Sequence, residues 1–242
     1  LGLWKNTLEN IRSGNTSGSL FEIGNVFSKK DSEYVESRRI SLVSWGEGLG
    51  LYANKAPLIY SLRSTLEKFF QSLQISAFSF VNSAEAPVFL HLGQWAQVIV
   101  EGQAVGYIGS IHPRLLADDK IRFPVVVAEL NLDQILKGQP RPTKFKSLSK
   151  FQPVERDFAF VMESAKPVGD MLKEIKKSGG AQIRDLTVFD IYEGDKLAQG
   201  QKSVALRATF QGSTEALTED NIQQLSQKII EAAKKSVNAQ LR

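Results

Sequence analysis

Between Phe189 and Gln211 the sequence FDIYEGDKLAQGQKSVALRATFQ packs Asp190, Glu193 and Asp195 around one glycine, with a strand-like run on each side. Three carboxylates this close could hold a divalent cation or move a proton. A calcium loop led by Asp190 would need oxygen ligands at its third and fifth positions and a bidentate Glu at its twelfth. Those positions hold Tyr192, Gly194 and Gln201. The ligand set fails. Glu193-Gly194-Asp195 instead carries the chemistry of a hairpin turn, in which Gly194 is free to take a positive φ.

The remaining candidates for chemistry are thin. No cysteine is present, which removes disulfides, thiolate nucleophiles and every metal site with a sulfur ligand. His91 and His112 are the only histidines, without HExxH spacing, so no zinc centre is expected. Neither has a Ser or Asp at a triad spacing, and both read as packing or hydrogen-bonding residues. The GEGLG run from Gly46 to Gly50 has neither GxGxxG spacing nor a P-loop lysine, and reads as a turn. Trp4, Trp45 and Trp95 are scattered, as core or interface residues are.

The elements that must position these residues fall into two groups. The chain has 242 residues, 42% apolar and 23% charged, which suits two globular domains. No apolar run reaches membrane-spanning length and no signal peptide is visible. The start at Leu1 suggests a processed chain or a fragment. A net charge of +4 is compatible with an RNA partner without demanding one. Leu136 to Lys150, LKGQPRPTKFKSLSK, holds Gly138, Pro140 and Pro142 with five cations and no acid, and reads as a linker. The expected boundaries are a first domain at 1–137, a linker at 138–146 and a second domain at 147–242.

The first domain reads as mostly strands with one clear helix. LFEIGNVF (20–27) and RRISLVSWG (38–46) are strand-like, with Lys29, Lys30 and Asp31 suited to the loop between them. PLIYSLRSTLEKFFQSL places Leu58, Leu62, Leu66 and Phe69 at helical spacing, with Pro57 at its first position. QWAQVIVEGQAVGYIGSIHP predicts two strands joined at Glu101-Gly102, and FPVVVAELNLDQILKG a buried strand and a short helix. Recurrent hairpins argue for an antiparallel α+β domain. In the second domain Phe158, Phe160 and Met162 alternate along a strand. Val168, Met171, Leu172 and Ile175 share a helical face that ends at Gly179-Gly180. QIRDLTVFDIY and QKSVALRATFQ are strands. Thr218 caps a helix with Ile222, Leu225, Ile229 and Ala233 inward, and AQLR could form an edge strand. The order βαββαβ is the ferredoxin-like plan. Alternation in KSVALRATF puts Ser203, Ala205, Arg207 and Thr209 on the open face, which is then polar and without an aromatic platform for bases.

FQPVERDFAFVM, VFDIYEGDKLAQGQKSVALRATFQ, LTEDNIQQLSQKI and the terminal AQLR, in that order, resemble the ferredoxin-fold anticodon-binding domain. That domain closes the beta subunit of bacterial phenylalanyl-tRNA synthetase and the single-chain organellar enzyme. The likeness spans roughly 147–242. LFEIGNVF and VGYIGSIHP look like the beta subunit's degenerate class II synthetase-like domain, which favours the bacterial form and implies its C-terminal portion. The resemblance implies a cytoplasmic tetramer of two alpha and two beta subunits, with phenylalanine tRNA as ligand. The alpha subunit would use ATP and magnesium, and this chain would have no cofactor and no catalytic residue of its own. The class II signatures are absent in keeping with that: the arginine slot of motif 2, two residues before Glu22, is Leu20, and Leu51 and Tyr52 follow the glycines where motif 3 has its ATP-binding arginine. HLGQWAQ (91–97) stands where the family reads close to HPGRSA, and Lys55-Ala56 where it reads KG. On this reading Arg156, Lys202, Ser203 and Arg207 face RNA. The alternative is a module that only assembles the synthetase through protein contacts.

Overall fold

The computed structural model describes residues 2–30, 33–46, 57–83, 85–137, 149–213 and 215–242. The expected linker at 138–146, most of GEGLG and Lys55-Ala56 lie outside them. The chain divides into two compact units, Leu1–Lys144 and Phe145–Arg242.

The first unit is built on a six-stranded antiparallel sheet in the order β1-β2-β6-β5-β4-β3. Its strands are β1 (Gly18–Lys30), β2 (Glu33–Trp45), β3 (Phe78–Val81), β4 (Leu90–Val100), β5 (Gln103–Ile111) and β6 (Val125–Asn131). Strand β6 shows why an unbroken apolar run was needed. Val126, Ala128 and Leu130 turn to one face, where helix α2 (Leu58–Ser72) buries Leu62, Leu66 and Phe70. Val125 and Val127 turn to the other, where helix α1 (Gly2–Arg12) lays Trp4, Leu8 and Ile11 against Trp45 and Trp95. A strand covered on both faces has no polar alternation to show. Two short helices, α3 (Pro113–Asp118) and α4 (Leu132–Leu136), are capped by the side chains of His112 and Asn131.

Several sequence expectations are corrected in detail. The β1–β2 hairpin is tighter than read: Lys29 and Lys30 belong to the strand and pair with Tyr34 and Glu33. In α2 it is Phe70 that joins Leu62 and Leu66 in the core, with Phe69 only partly buried, and Pro57 is the cap and not the first helical residue. Helix α1, which the sequence reading missed, lacks an acidic first turn. At the β4–β5 turn, Glu101 (φ 51°) and Gly102 (φ 80°) both take the positive φ of a two-residue hairpin turn, as expected.

The second unit runs β7 (Val154–Glu163), α5 (Val168–Gly179), a 3₁₀ turn (Gly180–Gln182), β8 (Ile183–Tyr192), β9 (Gln201–Phe210), α6 (Glu219–Val237) and β10 (Gln240–Leu241). The sheet order β10-β7-β9-β8 places the first and third strands centrally, which is the ferredoxin-like arrangement. Phe158, Phe160 and Met162 of β7 and Val204, Leu206, Ala208 and Phe210 of β9 point to one face. There they meet Met171 and Ile175 of α5 and Ile222, Leu225, Ile229 and Ala233 of α6. Thr218 and Asn221 form a reciprocal capping box at the start of α6. Gly180, at φ 57°, ends α5.

Candidate nucleic-acid interface on the open sheet face

Strand parity decides which side chains share a surface. Residues of β9 alternate strictly, so the odd positions Ser203, Ala205, Arg207 and Thr209 lie opposite the helix-covered face. On β7 the register partners are Asp157 opposite Arg207 and Glu155 opposite Thr209. On β8 they are Thr187 opposite Arg207, Asp190 opposite Ala205 and Tyr192 opposite Ser203. The register slips between Val188 and Asp190, a β-bulge at Phe189. Before the slip Leu186 and Val188 face the core. After it Asp190 and Tyr192 land on the open face, where a regular strand would have buried them.

This corrects the expectation of a face without aromatics. Phe189 is 55% exposed and Tyr192 38% exposed. The Arg207 guanidinium lies 5.7 Å from the Phe189 ring centroid. The signal was in the sequence, in FDIY, but only the bulge gives it the right phase.

The four residues proposed from sequence separate. Arg207 is on the open face, yet its charge is already engaged. Its Nε donates to Asp157 Oδ1 at 2.8 Å and a terminal nitrogen to Oδ2 at 2.9 Å, while the other lies 3.4 Å from Glu155. Hydrogen bonds from Arg207 hold the Asp157 carboxyl below the usual carboxylate range, and the guanidinium's own pKa is pushed up in turn. Ser203 shares the face but is buried at 6% exposure, across from Tyr192. Lys202 and Arg156 point to the opposite, helix-covered side. Lys202 is buried, and its Nζ donates to the carbonyls of Ser164 (2.9 Å) and Lys166 (2.8 Å). Arg156, opposite Ala208, donates to Glu219 at the first turn of α6 (3.2 Å). The even-numbered positions of β7 and β9 make both residues helix-side.

The opening acids occupy the β8–β9 connection. Asp190 ends on the sheet, whereas Glu193 and Asp195 sit in the loop. The residue with positive φ there is Gly200 (φ 79°), not Gly194, whose role is close approach to the Tyr192 hydroxyl. Among the described residues no three His, Cys, Asp or Glu side chains converge as a metal site would require. His91 and His112 stack at 6.3 Å, and each Nδ1 accepts a backbone N–H two residues on, from Gly93 and Arg114.

Comparison with known proteins accounts for both units. The family described as Ferredoxin-fold anticodon binding domain matches residues 149–242. The family described as Phenylalanyl tRNA synthetase beta chain CLM domain matches residues 1–132. The chain belongs to the phenylalanyl-tRNA synthetase beta chain family. It is 47% identical to the phenylalanine–tRNA ligase beta subunit of Bdellovibrio bacteriovorus over 100% of its own length and 30% of that relative's. It is 32% identical to that of Carboxydothermus hydrogenoformans, covering 92% and 28%, and 31% identical to that of Clostridium tetani, covering 96% and 29%. The chain thus spans about three tenths of the length of these beta subunits. In this beta-chain family member the open sheet face belongs to the unit that matches the anticodon-binding family. No helix among the described residues is long and apolar enough to cross a membrane.

Proposed function

We propose that this chain works as the C-terminal portion of the beta subunit of a cytoplasmic phenylalanine–tRNA ligase, with its second unit binding the anticodon region of phenylalanine tRNA. The observation that carries this reading is the uncovered face of the ferredoxin-like sheet, with Tyr192 and Phe189 exposed beside Asp190 and Arg207. Unpaired loop bases are held by stacking on aromatic rings and by hydrogen bonds to their edges. Tyr192 and Phe189 supply the stacking, and Asp190 accepts from a base edge. Glu155, Asp157, Asp185 and Asp190 outnumber Arg207 on this face, so the contact is with bases and not with phosphates. The first unit, a degenerate synthetase-like domain, packs against the alpha subunit. Phenylalanine activation with ATP and magnesium belongs to that subunit, in a tetramer of two alpha and two beta chains.

The test is a titration of the 242-residue chain with the anticodon stem-loop of phenylalanine tRNA, beside a loop with an altered anticodon, at two salt concentrations. Tighter binding of the cognate loop is expected, with a shallow salt dependence. Equal and steeply salt-dependent binding would reduce the contact to backbone attraction. A second reading, an assembly module that never touches RNA, is favoured by the β1–β2 hairpin, which exposes Phe21, Ile23, Phe27 and Tyr34. Absence of binding to either loop, with capture of the alpha subunit, would select it.

A further inference from the structure

The first unit holds a cavity of about 430 Å³ between α1 and the sheet. Its size falls in the range of small-molecule sites, roughly 300–1,000 Å³. Three aromatic side chains contribute to its wall: Trp4 from α1, Phe89, and Tyr107 from β5. Phe89 and Tyr107 meet edge to face at 5.8 Å. The polar part of the wall is Ser41, Glu129 and Asp119. Among the described residues that line it there is no Lys, Arg or His. Arg39 reaches Glu129 at 3.4 Å and Arg12 reaches Asp119 at 3.5 Å, but neither guanidinium forms part of the wall. The Ser41 hydroxyl donates to Glu129 from its own side at 3.4 Å. Burial and the neighbouring Glu129 push the Tyr107 phenol up to about 12, so it remains a neutral donor.

Aromatic faces attract cations through their quadrupole, and carboxylates attract them through charge. An anion would meet two carboxylates on the wall, whose arginine partners Arg39 and Arg12 lie outside the lining. We propose that this cavity is a binding site for a small organic cation, an ammonium group carried on an aromatic or branched apolar body. The body lies among Trp4, Phe89 and Val127, and the ammonium group is directed at Glu129. The site lies within the first unit, and the proposal does not depend on RNA binding.

The probe is 2-phenylethylammonium, titrated into the 242-residue chain by calorimetry and by saturation-transfer NMR. Two comparison ligands share its body: 3-phenylpropionate, and phenylalanine, which adds a carboxylate to the same amine. The amine is expected to bind at least tenfold more tightly than either. Glu129→Gln, which keeps the side-chain shape, is expected to weaken the amine about tenfold. It should narrow the gap between amine and acid. Val127→Phe fills the cavity and is expected to abolish binding, with retained folding checked by circular dichroism. The proposal is overturned if the amine fails to bind wild-type chain at millimolar concentration, or if the acid binds equally well. It is also overturned if Glu129→Gln leaves the amine's affinity within twofold.

Discussion

Lys202 is where a structural and an RNA-binding role make opposite forecasts. Its ammonium group satisfies two carbonyls, those of Ser164 and Lys166, which join β7 to α5. Lys202→Met keeps the length and apolar stem while removing both donors. Each carbonyl left without a partner costs about 1–3 kcal/mol, and partial exposure keeps the total near 2–4 kcal/mol. For a domain of about 100 residues that corresponds to a fall of roughly 8–30 °C in Tm. Differential scanning calorimetry of the 242-residue chain should show this in one transition, assigned to the second unit, with the other unmoved. RNA affinity measured at 10 °C, where the variant is still folded, should stay within about twofold, on the order of 0.4 kcal/mol. An unchanged Tm together with a clear loss of RNA affinity would refute the reasoning and return Lys202 to the RNA surface.

Three further outcomes are expected. Tyr192→Ala should weaken binding of the anticodon stem-loop by about 1–3 kcal/mol, roughly 5- to 150-fold, without changing the slope of affinity against salt, as filter binding at several salt concentrations would show. Asp157 has a depressed folded-state pKa, so its contribution is present above the unfolded value near 4 and is lost as pH falls toward the folded one. Asp157→Asn should therefore flatten part of the drop in Tm measured between pH 5 and pH 2. Thr218→Ala removes the side-chain acceptor of the α6 capping box and should cost about 1 kcal/mol in urea unfolding.

Most of the second unit was legible because its periodicities are clean. Phe158, Phe160 and Met162 alternate without interruption, and Ile222, Leu225 and Ile229 keep helical spacing, so strand and helix assign themselves. Helix α1 was missed because its apolar residues are few and polar ones intervene, and only Trp45 and Trp95 opposite it explain the choice. The site was half legible. Arg207 and Ser203 follow from simple alternation along β9. Lys202 and Arg156 carry the charge that suggests RNA, but the same alternation puts them with Val204 and Phe158 on the covered side. Tyr192 depended on a bulge, a local change of register that residue types alone do not announce. Asp157 could be recognised as a partner of Arg207 only through the β7–β9 pairing, which joins residues 50 apart in the chain.

The bulge at Phe189 also acts as a phase shifter for the strand beyond it. Because side chains alternate with period two, one extra residue inverts the facing of everything downstream. Drawing Phe189 into regular pairing without loss of a residue would drive Asp190 and Tyr192 toward the helices and Ile191 onto the open surface, whereas deleting Phe189 would close the bulge and leave Tyr192 opposite Ser203. The chemical identity of that surface is therefore written in the slip. Point substitutions that spare the slip would leave the address of Tyr192 intact, whereas one that irons out the bulge at constant length would rewrite it without altering Asp190 or Tyr192 themselves.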